Sequence, residues 1–417
     1  MNLSDPRRVI EGVFRDEYGR VLAALIASLD DITLAEDALG DALVMALEQW
    51  EHALPTNAPA WLTTVAKRRA IDRLRRGGKY AGKSQSIEEM EEFLAAPEDT
   101  AEDDGEIPDE RLKLMFTCCH PALPPEAQIA LTLQTLGGLK IEEIARAFLT
   151  SELAMAQRLS RAKTKIREAK IPYSVPPAHL LPERLDALLS TLYLIFNEGY
   201  VATSGSTLLR QDLCEEAIRL MRVLINLLPS NANIPEASGL LSLMLLSHAR
   251  RAARVDEEGN IVLMEQQDRN RWNTAEISEA TALLEHALSL RLPGPYQVQA
   301  AIQAIHSEAP DAPETDWRQI AALYAVLASM TGSPVVEVNR AVAVSYAEGA
   351  AIGLEILLPL ENTMQQFAPY WVARGDFHAR LEETSLAISA FESAIALTSN
   401  EAEKAYLGRR LGRLRIT

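Results

Sequence analysis

Apolar residues recur at helical spacing along almost the whole chain. In residues 9–78 the pattern predicts three helices, Val9 to about Leu29, Leu34 to Trp50 and Pro59 to Arg76, with Gly77 and Gly78 after the third. Residues 111–172 predict a second helical unit, which ends at a cluster of prolines. Residues 178–417 are again helical, in short pieces separated by polar residues, proline and glycine. The predicted fold class is therefore all-α, in several units, as expected for a chain of 417 residues.

The pattern in residues 140–167 predicts a helix-turn-helix. Ile141, Ile144, Ala145 and Phe148 are spaced as one buried stripe, and Leu149-Thr150-Ser151 interrupts it with residues that readily cap a helix. In the next helix one face carries Met155, Leu159, Ala162 and Ile166, and the opposite face carries Gln157, Arg158, Arg161 and Lys165.

The outer face of that second helix has the chemistry of a major-groove reader. Arginine can bind guanine and glutamine can bind adenine through paired hydrogen bonds. Lys163, Lys165 and Arg167 suit phosphates. The alternative interpretation is an ordinary helical hairpin with a solvated charged face, because the motif is degenerate.

Two segments of the C-terminal part are alike, EATALLEHALSL at 279–290 and LAISAFESAIAL at 386–397. Each carries two alanines seven residues apart, Ala280 with Ala287 and Ala387 with Ala394, which would let paired helices approach closely. We predict an α-solenoid of the tetratricopeptide type over residues 178–417. A small hairpin is predicted inside it, within residues 254–272, where Ile261-Val262-Leu263 follows Glu258-Gly259-Asn260.

The charge distribution changes this picture. The formal net charge is −17, but residues 1–79 are at −1, residues 111–172 at +5 and residues 173–417 at −10. Residues 80–110 are at −11, with twelve acidic residues between Glu88 and Glu110, which predicts a flexible linker over 79–110. A short amphipathic piece at 87–94 could still dock as a helix. Local patches decide where a polyanion binds, so nucleic acid is not excluded.

A second basic segment lies in residues 61–79, with seven basic residues and one acidic residue. Its predicted inward face is Leu62, Ala66, Ala70 and Leu74; its basic residues are Lys67, Arg68, Arg69, Arg73, Arg75, Arg76 and Lys79. Upstream, Asp37 and Asp41 share one face of a helix beside Leu39, Leu43 and Ala46/Leu47, and two unpaired carboxylates there indicate a partner surface with arginines. The alternatives are a solvated helix end and a plain surface helix.

The three cysteines, Cys118, Cys119 and Cys214, have no framework spacing, which fits a reducing cytoplasm. Cys118-Cys119-His120 lacks the spacing of a structural zinc site, so no metal is predicted and a buried helix start is favoured. No catalytic or cofactor motif stands out, so neither an enzyme nor a cofactor is predicted. No secretory signal and no membrane-length apolar run are seen, and we expect a soluble cytoplasmic protein.

Taken in order, these segments resemble a bacterial RNA polymerase sigma factor of the extracytoplasmic-function type, in the sigma-70 family. LAEDALGDAL at 34–43, followed by Trp50, is similar to the polymerase-clamp-binding segment, residues 61–76 to the −10 region, and residues 123–169 to the −35-binding domain. The resemblance covers residues 9–172. TCCHPAL at 117–123, LYLIFNEGY at 192–200 and QDRNRW at 267–272 resemble the subgroup with a long helical-repeat C-terminal extension, which usually lacks a dedicated anti-sigma factor.

The resemblance implies roles for individual residues. Asp37, Asp41 and Leu43 would bind core RNA polymerase, with the β′ clamp and the β flap as its contact points. Gln157, Arg158, Arg161, Lys163 and Lys165 would bind the −35 element. Phe148-Leu149-Thr150 stands where a glycine-containing turn is usual, which leaves the assignment of side chains to bases open by about one position. Asn57, Trp61, Lys67, Arg68, Arg69, Arg73 and Arg76 would bind the −10 region, with a base flipped into the loop at 52–59. The acidic linker would run through the RNA-exit path.

The C-terminal part is expected to regulate in cis, through contacts at Asn197, Glu198, Tyr200, Asp268, Arg269 and Trp272. The alternatives are helix-capping roles for Asn197 and Gly199, and a structural ion-pair network around Arg254, Asp256, Asp268 and Arg269. A rival class is a polymerase-independent helix-turn-helix regulator with a ligand- or protein-binding sensor. Residues 34–76 distinguish a sigma factor from this regulator, because the regulator has no use for a clamp-docking helix followed by a second basic helix.

Overall fold

The structure is a computed structural model that describes residues 6–50, 55–76, 109–148, 150–200, 211–229, 234–256 and 260–415. For residues 6–16 and Arg76 it describes the backbone alone. The chain forms two compact units, Met1–Thr191 (unit 1) and Leu192–Thr417 (unit 2). The predicted acidic linker lies outside the described residues except for Asp109 and Glu110, as do the piece at 87–94 and the loop residues 52–54.

Unit 1 begins with three helices, α1 (Pro6–Leu29), α2 (Ile32–Gln49) and α3 (Ala58–Arg76), which agree with the predicted bounds to within one turn. Asp31 starts α2 by accepting a hydrogen bond from the Leu34 N–H at 3.0 Å, and Asn57 starts α3 by accepting one from Ala60 at 3.1 Å. The three helices pack together around a shared core of Val21, Leu22, Leu25, Leu39, Trp50, Leu62, Ala66, Ala70 and Ile71.

The second half of unit 1 contains α4 (Arg111–Cys118), α5 (Pro125–Thr135), α6 (Ile141–Ala147) and α7 (Glu152–Glu168). The predicted break between α6 and α7 is present, and Ser151 caps α7 by accepting a hydrogen bond from the Ala154 N–H at 3.2 Å. Ile144 and Ala145 are buried as predicted, whereas Ile141 and Phe148 are half-buried. The helix-turn-helix therefore has the predicted core, shifted slightly toward the middle of α6.

Gly19 marks a close approach between α1 and the end of α5. A Cβ added there would lie 2.7 Å from the backbone oxygen of Leu136, which cannot rotate away. We expect Gly19→Ala to destabilise unit 1 by about 1–2 kcal/mol, since overpacking costs more than the gain in helix propensity. Gly40→Ala is the matched control: it meets nothing within 4 Å and should stabilise by roughly 0.5–1 kcal/mol. Urea unfolding of the full chain should give a lower midpoint for Gly19→Ala and a higher midpoint for Gly40→Ala than for the wild type. Equal midpoints for the two variants would contradict this packing.

Helix α8 (Leu181–Tyr200) contains the division between the two units. Unit 2 continues through paired helices, as predicted for a helical-repeat architecture, with these bounds: α9 (Gln211–Leu227), α10 (Ile234–His248), α11 (Thr274–Ser289), α12 (Pro295–Glu308), α13 (Trp317–Thr331), α14 (Pro334–Ala347), α15 (Ala350–Leu357), α16 (Glu361–Met364), α17 (Ala368–Arg380), α18 (Thr384–Leu397) and α19 (Glu401–Leu414). Successive helices pack on each other, notably α10 with α11 and α12, α13 with α14, and α17 with α18. All four alanines named from the sequence are fully buried.

The predicted hairpin is smaller than expected. Val255 and Ile261 form an isolated antiparallel bridge, and the described residues contain no β-strand. Short 3₁₀ turns lie before this bridge, at Arg251–Ala253, and after it, at Met264–Gln266 and Arg269–Arg271. None of the described helices combines the length and apolar character that crossing a membrane requires.

Candidate functional site

Helix α7 presents two distinct faces. Met155, Leu159, Ala162 and Ile166 are all buried, so the predicted inward face is confirmed. Gln157, Arg161 and Lys165 are exposed and Arg158 is half-buried on the other side. Ser151 begins the helix, so Gln157 and Arg158 lie in its second turn, near the N-terminal part with which a recognition helix contacts base edges, Arg161 lies in its middle and Lys165 in its last turn. The geometry provides a cationic outer surface with one amide.

Lys163 departs from this pattern. Its Nζ donates to Glu36 Oε2 of α2 at 2.5 Å, and the two side chains are only 14% and 15% exposed. Burial raises the pKa of the Glu36 carboxyl, against the opposing effect of the Lys163 charge. The other carboxylate oxygen of Glu36 is buried without a hydrogen bond. The predicted phosphate ligand is thus held in unit 1 by a buried ion pair that the sequence did not reveal.

The carboxylates Asp37 and Asp41 were predicted to be unpaired, and this is wrong. Arg73 of α3 donates through Nε and Nη2 to Asp41 Oδ2 at 2.9 and 2.7 Å, and through Nη1 to Asp37 Oδ2 at 2.8 Å. The three side chains remain partly exposed, at 38%, 40% and 55% for Arg73, Asp41 and Asp37. The predicted polymerase contact and one predicted −10 contact therefore bind each other in this structure, in a pair that solvent can reach and that a partner could displace.

The predicted basic row of α3 also turns partly toward α2. Arg69 donates to the sulfur of Met45 from Nη2 at 2.8 Å and from Nε at 3.2 Å. Burial lowers the pKa of Lys67. Arg68 is half-buried, and the side chain of Arg76 lies outside the description. These side chains face α2 rather than solvent because Arg69 and Arg73 are four residues apart and so lie on one face of α3, the face that packs against α2.

The apolar edge of the predicted polymerase surface also shifts. Leu39 and Ala46 are buried in the core and Leu43 is half-buried, whereas Val44 is 57% and Leu47 is 45% exposed. Val44 lies on the solvent side of α2, three residues after Asp41, and was missed from the sequence. The sequence could have indicated it, because residues 37, 41 and 44 are spaced to lie on one face of a helix.

Trp50 and Trp61 lie together at the start of α3. Trp50 is buried, as expected, and meets the half-buried Trp61 edge to face at a centroid distance of 5.4 Å. Asn57 is exposed, but its side-chain oxygen is engaged in capping α3. The residues predicted to receive a flipped base are therefore close in space, with one of the two rings available at the surface.

The cysteine pair has no metal geometry. Cys118 ends α4 and Cys119 follows it, so the expected helix start is instead a helix end. Their sulfurs lie 3.3 and 3.5 Å from the hydroxyls of Thr135 and Thr132. Burial raises the pKa of Cys118 to about 12 and of Cys119 to about 11, so both stay protonated. Among the described residues no group of three or more histidine, cysteine or carboxylate side chains is arranged to hold a metal ion.

The residues expected to make regulatory contacts form an arginine–aromatic cluster in unit 2. The Arg254 guanidinium lies 3.6 Å from the Tyr200 ring centroid and donates to the Tyr200 carbonyl at 2.5 Å. Arg269 lies over Trp272 at 4.7 Å, and Arg250 donates to the Tyr200 hydroxyl at 3.0 Å. Asp268 caps the turn at Arg269–Arg271 through the Asn270 N–H.

Two alternatives considered for these residues are corrected by this geometry. Asn197 and Glu198 lie half-buried within α8, which continues to Tyr200, so Asn197 does not cap the helix end. Among the described residues Arg254 and Arg269 bind carbonyl groups and aromatic rings, and neither forms an ion pair with Asp268, as the predicted ion-pair network would require.

His306 should make the stability of unit 2 depend on pH. Burial, followed by the charges of Arg250 and Arg269, lowers its pKa from 6.5 to about 4. The unfolded chain takes up this proton near pH 6.5, whereas the folded chain does so only near pH 4, so the contribution is present above 6.5 and lost as the pH falls. Between about pH 7.5 and 5 we expect a loss of roughly 2 kcal/mol. Urea unfolding of the full chain and of His306→Gln measures it; identical pH dependence in both would refute it.

The fold and these surfaces define a helical DNA-binding transcription factor with two basic helices, an acidic helix and a helical-repeat unit. The model of sigma-70 region 2 matches residues 13–80, and that of sigma-70 region 4 matches residues 113–166. A family of unknown function (DUF6596) matches residues 184–288. An uncharacterized protein of Rhizobium meliloti (strain 1021) is 41% identical over 402 residues, which are 95% of this chain and 93% of that protein. No solved structure matches the chain.

The chain therefore belongs to the sigma-70 family of RNA polymerase sigma factors, of the extracytoplasmic-function type with an additional C-terminal domain. Regions 2 and 4 support a role in promoter recognition and imply binding to core RNA polymerase and promoter DNA. Sigma factor families are DNA-binding transcription factors rather than enzymes.

Proposed function

We propose that the outer face of α2 docks on the β′ clamp of core polymerase, that the helix-turn-helix docks on the β flap, and that α7 and α3 then select the −35 and −10 elements. The observation that carries this proposal is the two-faced geometry of α7. Four apolar side chains anchor the helix, and Gln157, Arg158 and Arg161 are left on the outside. Such a factor would act in the cytoplasm, where polymerase and chromosome are found.

The proposal that α2 docks on polymerase is supported by the combination of charged and apolar side chains on its exposed face. Asp41 lies beside the exposed apolar side chains Val44 and Leu47. Exposed apolar side chains next to charge are common at protein interfaces. Docking on arginine-rich clamp segments would replace the intramolecular partner of Asp37 and Asp41, so that Arg73 becomes available to DNA.

We further propose that unit 2 regulates unit 1 in cis. Residues 192–417, which form unit 2, carry a net charge of −9, whereas residues 111–172 carry +5, so unit 2 is complementary in charge to a DNA-binding surface. The same acidic balance would suit a contact with polymerase. The sign of the regulation is therefore the quantity to measure.

The experiment is in vitro transcription with core RNA polymerase on fragmented genomic DNA, comparing the full chain with a chain that ends at Thr191. That end point retains the bond from the Thr191 hydroxyl to Gln128 and the bond from Arg184 to the Phe116 carbonyl. Promoter-specific transcripts from either protein would support the sigma factor proposal. More transcript from the shorter chain would identify inhibition by unit 2, and less would identify activation. No transcripts and no polymerase binding by the full chain would overturn the proposal.

A further inference from the structure

Unit 2 contains a cavity of about 270 Å³ between the turns at 264–271 and helices α12, α13 and α14. Its wall includes Arg269, His306, Trp317, Asn339 and Val342. Asn339 is exposed, so the cavity reaches the surface. Its volume is that of roughly nine liquid water molecules, which suits a ligand of about ten non-hydrogen atoms. We call this the His306 cavity.

One end of the His306 cavity has unused hydrogen-bonding capacity. His306 is only 7% exposed, and its ring nitrogens, which are not sealed from solvent, form no hydrogen bond with another described residue. Its ring contacts Trp317 edge to face at 5.2 Å. The hydroxyl of Tyr324, also on the cavity wall, likewise forms no hydrogen bond with another described residue and is not sealed from solvent. Polar atoms that line a cavity and have no protein partner can form hydrogen bonds with a bound ligand.

The same end carries excess positive charge. Arg269 Nη1 donates to the carbonyl oxygen of His306 at 2.8 Å and also to that of Ala309. Arg250 is 3% exposed and donates to Gln303 Oε1 at 2.8 Å. In the described part of unit 2 neither arginine forms an ion pair with a carboxylate, and Asp311 acts on Arg269 only from a distance. Arg250 is buried and Arg269 is half-buried, and cations shielded from water that bind only neutral groups favour an anion nearby.

The other end is aromatic. Trp317 and Tyr346 are stacked at a centroid distance of 4.3 Å and an interplanar angle of 14°. Glu265, the carboxylate on this part of the wall, accepts the hydrogen bond of the Tyr346 hydroxyl, and the Arg380 guanidinium lies 4.9 Å from the Tyr346 ring. Glu265 is therefore already engaged, and the remaining surface consists mainly of rings and aliphatic carbon.

We propose that the His306 cavity binds a small aromatic carboxylate, whose carboxylate lies against Arg269 and His306 and whose ring lies against Trp317 and Val342. Arg269 supplies a charge-assisted hydrogen bond from a guanidinium that is already oriented by two backbone carbonyls. The aromatic wall excludes water from the ring. The site lies wholly within unit 2 and does not depend on the role of the chain in transcription.

The test is isothermal titration calorimetry of the full chain with three probes of matched shape, phenylacetate, phenylacetamide and phenethylamine. We expect saturable binding of the acid, at least tenfold weaker binding of the amide, and the weakest binding of the amine. Equal binding of acid and amide, preference for the amine, or no saturable heat from any probe at millimolar concentration would each overturn the proposal.

Variants locate the binding site. Arg269→Met should weaken phenylacetate binding at least tenfold, whereas Arg340→Met, a matched control whose side chain pairs with Glu337 on α14, should not change it. Because Arg269 also holds backbone carbonyls, its variant could lose structure. Asn339→Trp therefore provides a second test, since it fills the exposed mouth without touching the core and should abolish binding. Unchanged affinity in Asn339→Trp would place the ligand elsewhere and overturn the assignment.

Discussion

Replacing Arg158 and Arg161 together by alanine should abolish promoter-specific transcription while binding to core polymerase stays intact. Neither residue belongs to the buried face that anchors α7: Arg161 is exposed and Arg158 is half-buried. A paired arginine–guanine contact contributes about 1–3 kcal/mol of discrimination, so losing two would reduce selection by roughly a hundredfold or more. The fold should be unaffected, because surface substitutions usually change stability by less than about 0.5 kcal/mol.

The measurement is in vitro transcription from a promoter selected by the wild-type chain, with sedimentation of the complex with core polymerase in parallel. Arg318→Ala combined with Arg409→Ala is the matched control, because it removes two exposed arginines from unit 2 and changes the net charge equally. Normal transcription by the control and none by the α7 variant would support the recognition face. Unchanged transcripts from the α7 variant would sink that assignment.

The faces of single helices could be predicted because burial follows local periodicity. The four inward residues of α7 were read from their spacing, and so were Leu62, Ala66 and Ala70 of α3. Leu74 is only half-buried, which the spacing did not predict. The same local logic placed the cap of α7 at Thr150-Ser151, and Ser151 is the residue that caps it.

Contacts between helices were harder to predict. Arg73 and Asp37 are 36 positions apart, and nothing in the spacing of either segment indicates that they pair. If α2 and α3 are assumed to pack as an antiparallel hairpin, Asp37 lies opposite Arg73, so this ion pair could have been predicted from that assumption. Glu36 and Lys163, 127 positions apart, depend on how α2 packs against the helix-turn-helix, which periodicity does not encode.

The arginine–aromatic cluster shows a related limit. The sequence singled out Tyr200, Arg254, Arg269 and Trp272, and the structure groups them in unit 2. The partners of Arg254 and Arg269 could not be predicted from the sequence, because a guanidinium can bind carbonyl groups, aromatic rings and carboxylates alike. The cavity around His306 was not predicted at all. Its wall combines four separate segments, and a lone histidine in an apolar helix gives no signal.

Glu36→Gln and Lys163→Met should change DNA binding in opposite directions, although they break the same ion pair. A phosphate that binds Lys163 must displace Glu36, and removing one partner of a buried pair is worth about 3–5 kcal/mol. We therefore expect Glu36→Gln to tighten binding of the full chain to a promoter duplex by about tenfold or more. Lys163→Met should weaken it and reduce the slope of log affinity against log salt by about one.

Two controls separate this effect on DNA binding from a loss of stability and from a general change in net charge. Either single variant should lower the unfolding midpoint of unit 1, because it leaves the other group buried and unpaired, whereas the double variant should recover part of the loss. Glu48→Gln, which removes an exposed carboxylate from the same helix, should leave DNA affinity nearly unchanged. Fluorescence anisotropy at several salt concentrations measures all four proteins. If Glu36→Gln weakened DNA binding as Lys163→Met does, Lys163 would be a purely structural residue, because a competitor for phosphate must raise affinity when it is removed.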